Sequence, residues 1–69
     1  MIWLAVYNDG TEVICNVQPY RDYIDNIWSI ECTFDSCAIT LPKGSIKKFI
    51  GKNLTWEDEP VELKINNYN

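Results

Sequence analysis

The groups in this chain that could do chemistry are three cysteines (Cys15, Cys32 and Cys37), four tyrosines, ten carboxylates and six basic side chains, with no histidine among 69 residues. Without an imidazole, a general acid or base would have to be a carboxylate, lysine, tyrosine or thiol, and no two of these stand in a recognisable catalytic motif. The cysteines are odd in number, contain no Cys-x-x-Cys pair and have no histidine to join them, so neither a complete disulfide framework nor a zinc site is indicated. All three fall on faces expected to point inward, where a free thiol behaves as a small hydrophobe with a raised pKa. The run Glu57-Asp58-Glu59 offers oxygens, but a hard-cation loop brings several ligands around a sharp turn, typically at glycine, and here Pro60 follows. It reads as a solvated turn. The expectation is a reduced, cytosolic protein that is not an enzyme and uses no metal or cofactor.

Charge narrows the binding chemistry. A net charge of −4 disfavours non-specific attachment to nucleic acid or an anionic membrane, which needs a basic face. The charges are segregated, however: before residue 43 the only base is Arg21, residues 43 to 52 carry Lys43, Lys47, Lys48 and Lys52 with no acid, and residues 57 to 62 are acidic again. The four lysines, with Trp56 near in sequence, make an alternative patch for a phosphate backbone or a phosphorylated ligand. Lysines on the outer face of an amphipathic helix explain the same pattern without a ligand.

These groups must be positioned by one domain spanning residues 1–69, near the lower size at which a core holds without staples. The apolar start, residues 1 to 7, is too short to cross a bilayer and has no basic leader; it reads as a strand. Asp9-Gly10 then signals a hairpin with residues 11 to 17, because a two-residue type I′ loop needs positive φ at both central positions. That loop would pair Val6 with Val13, Leu4 with Cys15 and Ile2 with Val17 on one apolar face. The other face would hold Trp3, Ala5, Tyr7, Glu12, Ile14 and Asn16, more hydrophobic than a solvated face needs. Trp3, Tyr7 and Ile14 are therefore candidate partner-binding anchors, because exposed apolar patches mark interaction surfaces. Equally open is a second small core under a helix or under the 19–26 connection.

Pro19 ends the second strand, and the aromatic and charged connection after it has room for one helical turn. Residues 27 to 34 alternate with Trp28, Ile30, Cys32 and Phe34 inward; after the Asp35-Ser36 turn signal, Cys37, Ile39 and Leu41 continue the inward set. The loop length between these two runs is open, and so is whether Cys32 and Cys37 face each other. Ser45 is the expected N-cap of a one- to two-turn helix that buries Ile46, Phe49 and Ile50 and ends at Gly51. Val61, Leu63 and Ile65 form a last strand, with residues 66 to 69 fraying. The fold class is mainly β, a β-rich α+β arrangement. It is a small bent antiparallel sheet or a partly open barrel of SH3-like or OB-like size, with about five strands and one short helix before the last.

Residues 41 to 63, Leu-Pro-Lys-Gly-Ser-Ile-Lys-Lys-Phe-Ile-Gly-Lys-Asn-Leu-Thr-Trp-Glu-Asp-Glu-Pro-Val-Glu-Leu, resemble small uncharacterised proteins encoded by bacterial phages and prophages. The resemblance covers the C-terminal third and names no functional residue. It implies a short, soluble accessory protein of the bacterial cytoplasm that binds and modulates a host protein, including components of host defence. Self-association through an exposed strand edge is the third expectation.

Overall fold

The computed structural model describes residues 2–30 and 38–64. In chain order the elements are β1 (Ile2–Val6), β2 (Glu12–Cys15), β3 (Tyr20–Asp22), β4 (Ile27–Ser29), β5 (Ala38–Leu41), α1 (Ser45–Ile50) and β6 (Val61–Leu63). Four strands form an antiparallel sheet in the order β5-β2-β1-β6, and β3 and β4 form a separate two-stranded hairpin. The fold is mainly β, with the short helix before the last strand as expected. Among the described residues β5 and β6 lie at opposite edges, so the sheet is open.

The β1–β2 register differs from the expected one. The loop contains three residues, not two: Gly10 N–H donates to the Tyr7 carbonyl at 2.9 Å, and Tyr7 N–H donates to the Thr11 carbonyl at 2.8 Å. Gly10, at φ 91°, takes the left-handed place that closes such a loop, and the Asp9 carboxylate accepts from Thr11 N–H at 2.9 Å. The extra residue moves the strand by one, giving Trp3↔Cys15, Leu4↔Ile14, Ala5↔Val13 and Val6↔Glu12. Because side chains alternate, that slip exchanges the faces of β2 relative to β1.

Both faces are covered. On one, buried Ala5, Val13 and Cys15 meet Trp28, with Trp3, Tyr7, Ile30, Ala38 and Trp56 packed around them. On the other, buried Leu4 and Val6 meet Ile46 of α1, flanked by Ile14, Leu41, Ile50, Leu54 and Leu63. The helix thus covers one side and the β3–β4 hairpin the other.

One further expectation is corrected. The 19–26 connection is not a helical turn: it supplies β3 and the turn that joins it to β4, with Arg21 opposite Trp28. β5 pairs with β2, placing Ile39 opposite Ile14; the expected pairing of this strand with the run before it falls on residues 31 to 37, outside the described residues. Ile39 shares the helix face yet stays 64% exposed, since α1 has only six residues and cannot reach across the sheet edge. Cys32, Phe34, Cys37, the Asp35-Ser36 turn, Ile65 and residues 66 to 69 lie outside the described residues.

At the helix, Gly44 rather than Ser45 is the N-cap. The cap function comes from a remote strand: Glu12 Oε2 accepts from Gly44 N–H at 2.8 Å and Oε1 from Ile46 N–H at 2.9 Å. Gly51 ends the helix as expected, at φ 80°, its N–H donating to the Lys47 carbonyl. Ile46 is buried and Ile50 half-buried, but Phe49 is 50% exposed, so the helix stripe is narrower than the i, i+3, i+4 pattern suggests. Among the described residues no helix is long and apolar enough to cross a membrane.

Candidate protein-interaction site

The β3–β4 hairpin has an anchored base and an exposed tip. At the base, Trp28 is buried and its Nε1 donates to the Val6 carbonyl at 2.8 Å, joining the hairpin to the main sheet. Opposite it, the Arg21 guanidinium lies in the angle between two indoles, 4.6 Å from the Trp28 ring centroid and 4.8 Å from that of Trp56. The two rings meet edge to face with centroids 5.3 Å apart. Arg21 Nη2 donates to the Asp58 carbonyl at 2.8 Å, so one cation joins the hairpin to the turn before β6. Its contact with Glu59, at 3.8 Å to a side chain 82% exposed, adds little. The buried Arg21 Nε has no hydrogen-bond partner among the described residues.

The turn at the tip is held by its own side chains. Asp22 Oδ1 accepts from Ile24 N–H at 2.9 Å and from Asp25 N–H at 3.2 Å, and Asn26 takes the left-handed conformation at φ 56°. This geometry turns Tyr23 and Ile24 out to solvent, 75% and 91% exposed; Ile27, opposite Asp22, and Tyr20, at the other end of β3 opposite Ser29, are also exposed. The tip therefore presents Tyr23 and Ile24 on a locally ordered backbone, with Ile27 at the adjoining start of β4.

Next to the tip is a cleft of about 540 Å³ between the hairpin, the β1–β2 loop and β5. Buried Val13 and half-buried Tyr7 line its interior, Ile27 lines the hairpin side, and Asp9, Asn26 and Thr40 supply polar groups. Hydrogen bonding to Thr11 holds the Asp9 carboxyl below its ordinary range. A second cleft, of about 600 Å³, runs on the other side of Tyr7 and Asn8 toward Lys43, Leu54 and Trp56.

The residues singled out by sequence are placed differently. Trp3 and Tyr7 are half-buried in the cluster around Trp28, while Ile14 lies on the opposite sheet face beside the α1 cluster. The three do not share a surface, because the three-residue loop shifts β2 against β1. Burial raises the Tyr7 hydroxyl pKa, with a smaller contribution from Cys15, and burial alone raises that of the Cys15 thiol. Lys43, Lys47, Lys48 and Lys52 are all exposed around α1; Lys43 shares the second cleft with Trp56, whereas the other three do not line it. Among the described residues no group of three or more acidic or thiol side chains is placed to hold a metal.

The exposed hairpin residues Tyr20, Tyr23, Ile24 and Ile27 are not among the candidates from sequence. Their signal was present: a connection rich in aromatics and aspartates, followed by Ile27 on the outward parity of its strand. Comparison of the chain with protein families, curated proteins and solved structures finds no match.

Proposed function

We propose that this chain is a non-enzymatic protein-binding module whose contact surface is the tip of the β3–β4 hairpin. The likeness of residues 41 to 63 to phage-encoded proteins suggests a host protein as the target, with modulation of a host defence component as the biological role. The observation that carries the reading is the exposure of Tyr23 and Ile24 on a hairpin whose base is fixed by Trp28 and Arg21. Aromatic and aliphatic anchors presented on an ordered backbone bind with little further loss of conformational entropy. A second sheet core already occupies Trp3 and Tyr7, so the hairpin tip is the better-exposed apolar surface.

The test is affinity capture from bacterial cytoplasm with the wild-type chain and with a Tyr23→Ala/Ile24→Ala variant. The variant should lose the captured protein while its thermal midpoint stays within about 4 °C, since Ile24 is exposed and Tyr23 gives up only an exposed contact with the Arg21 guanidinium, 5.8 Å from its ring centroid. Retention of the same partner by the double variant would remove the tip from the contact.

A further inference from the structure

We propose that the cleft beside the hairpin tip receives a lysine or arginine side chain from the protein partner, so that the target is a basic surface with an apolar neighbour. The proposal rests on the hairpin tip being the docking surface and adds the chemistry of what docks there. Val13, Tyr7 and Ile27 give the cleft apolar walls suited to an aliphatic stem, and Asp9 provides a carboxylate for the cationic head. One Asp9 oxygen accepts from Thr11 N–H, which fixes the direction of the carboxylate. Asn26 and Thr40 supply neutral hydrogen-bonding groups around it.

The surrounding charge has the same sign. Asp22, the last residue of β3, and Asp25, in the turn beside Asn26, lie near the cleft without lining it. Arg21, the only base before residue 43, is withdrawn between Trp28 and Trp56, its side chain 10% exposed. Lys43 belongs to the other cleft, Lys47 and Lys48 to the helix on the opposite sheet face, Lys52 follows the Gly51 that ends that helix, and Lys64 follows the strand at the far sheet edge. A recess with one carboxylate and apolar walls, next to exposed Tyr23, Ile24 and Ile27, complements a cation beside a hydrophobic contact and disfavours phosphate.

The probe is a displayed library of random heptapeptides selected on the purified chain of residues 1–69. Enriched peptides should carry lysine or arginine next to an apolar residue, and their binding should weaken as salt is raised. Asp9→Asn, which keeps the acceptor for Thr11, should weaken binding by up to about fivefold and flatten its salt dependence, and Thr40→Lys should weaken it from the far side of the cleft. Peptides of neutral or acidic composition that bind Asp9→Asn unchanged but fail on Ile24→Ala would overturn the cation site while leaving the docking surface standing. Peptides indifferent to Tyr23→Ala and Ile24→Ala, or no enrichment at all, would overturn both. Sedimentation showing a self-associated form that Ile24→Ala dissociates would place a second copy on the tip, and that also overturns the basic partner.

Discussion

Trp28 Nε1 donates a 2.8 Å hydrogen bond to the carbonyl oxygen of Val6, across 22 positions of chain. Val6 faces the helix side of the sheet with its side chain and the hairpin side through this carbonyl, so one residue touches both coverings. The indole also fills the cluster of Ala5, Val13 and Cys15 and provides one wall for Arg21. The hairpin can present an apolar tip because this base holds it.

Trp28→Phe keeps much of the ring area and leaves the Val6 carbonyl without its donor. A buried acceptor left unmade costs about 1 to 3 kcal/mol. Urea unfolding should show a lower midpoint with an unchanged slope, which marks lost stability rather than a changed unfolded state.

Arg21→Lys keeps the charge but removes the planar group that lies against both indoles and reaches the Asp58 carbonyl. The expected loss is about 1 to 2 kcal/mol, because a compact ammonium replaces the stacked fork poorly. Trp fluorescence should respond as well, since both rings change their neighbour. A variant with wild-type stability and emission would show that the stack contributes nothing.

Glu12 acts on a helix more than thirty positions away. Its carboxyl is held below the ordinary value of 4.5, first by the hydrogen bond from Ile46 N–H and then by that from Gly44. A lowered folded pKa contributes stability above the unfolded value, and that contribution is lost as pH falls through the folded one. Glu12→Gln should therefore cost about 1 kcal/mol at neutral pH, the scale of a helix cap in contact with solvent. The difference from wild type should shrink on acidification below 4.5. A constant difference across that range in chemical unfolding would rule out the ionised cap.

Gly10→Ala tests the loop. The glycine sits at φ 91° and a Cβ would meet nothing within 4 Å, so the penalty is backbone strain alone. It should be about 1 to 2 kcal/mol, and less for Gly10→Asn, which tolerates positive φ better. Equal thermal midpoints for wild type and Gly10→Ala would mean that the loop takes another form.

Local patterns in the sequence were enough to determine a β-rich domain, the first hairpin, the inward Trp28 and Cys15, the strand at 61 to 63 and a short helix ended by Gly51. Each follows from residue type and near-neighbour spacing. Tertiary structure decided the rest, for a physical reason visible in β1 and β2: both their faces are apolar, so a one-residue slip carries no penalty in the pattern itself. Asp9-Gly10 fits a two-residue or a three-residue loop equally well. Remote contacts choose between them, with Glu12 under the start of α1 and Ala5 and Val13 under Trp28. The same distant packing takes Trp3 and Tyr7 into a second core and leaves Tyr23 and Ile24 uncovered, which is why the candidate contact surface moved from the first hairpin to the second.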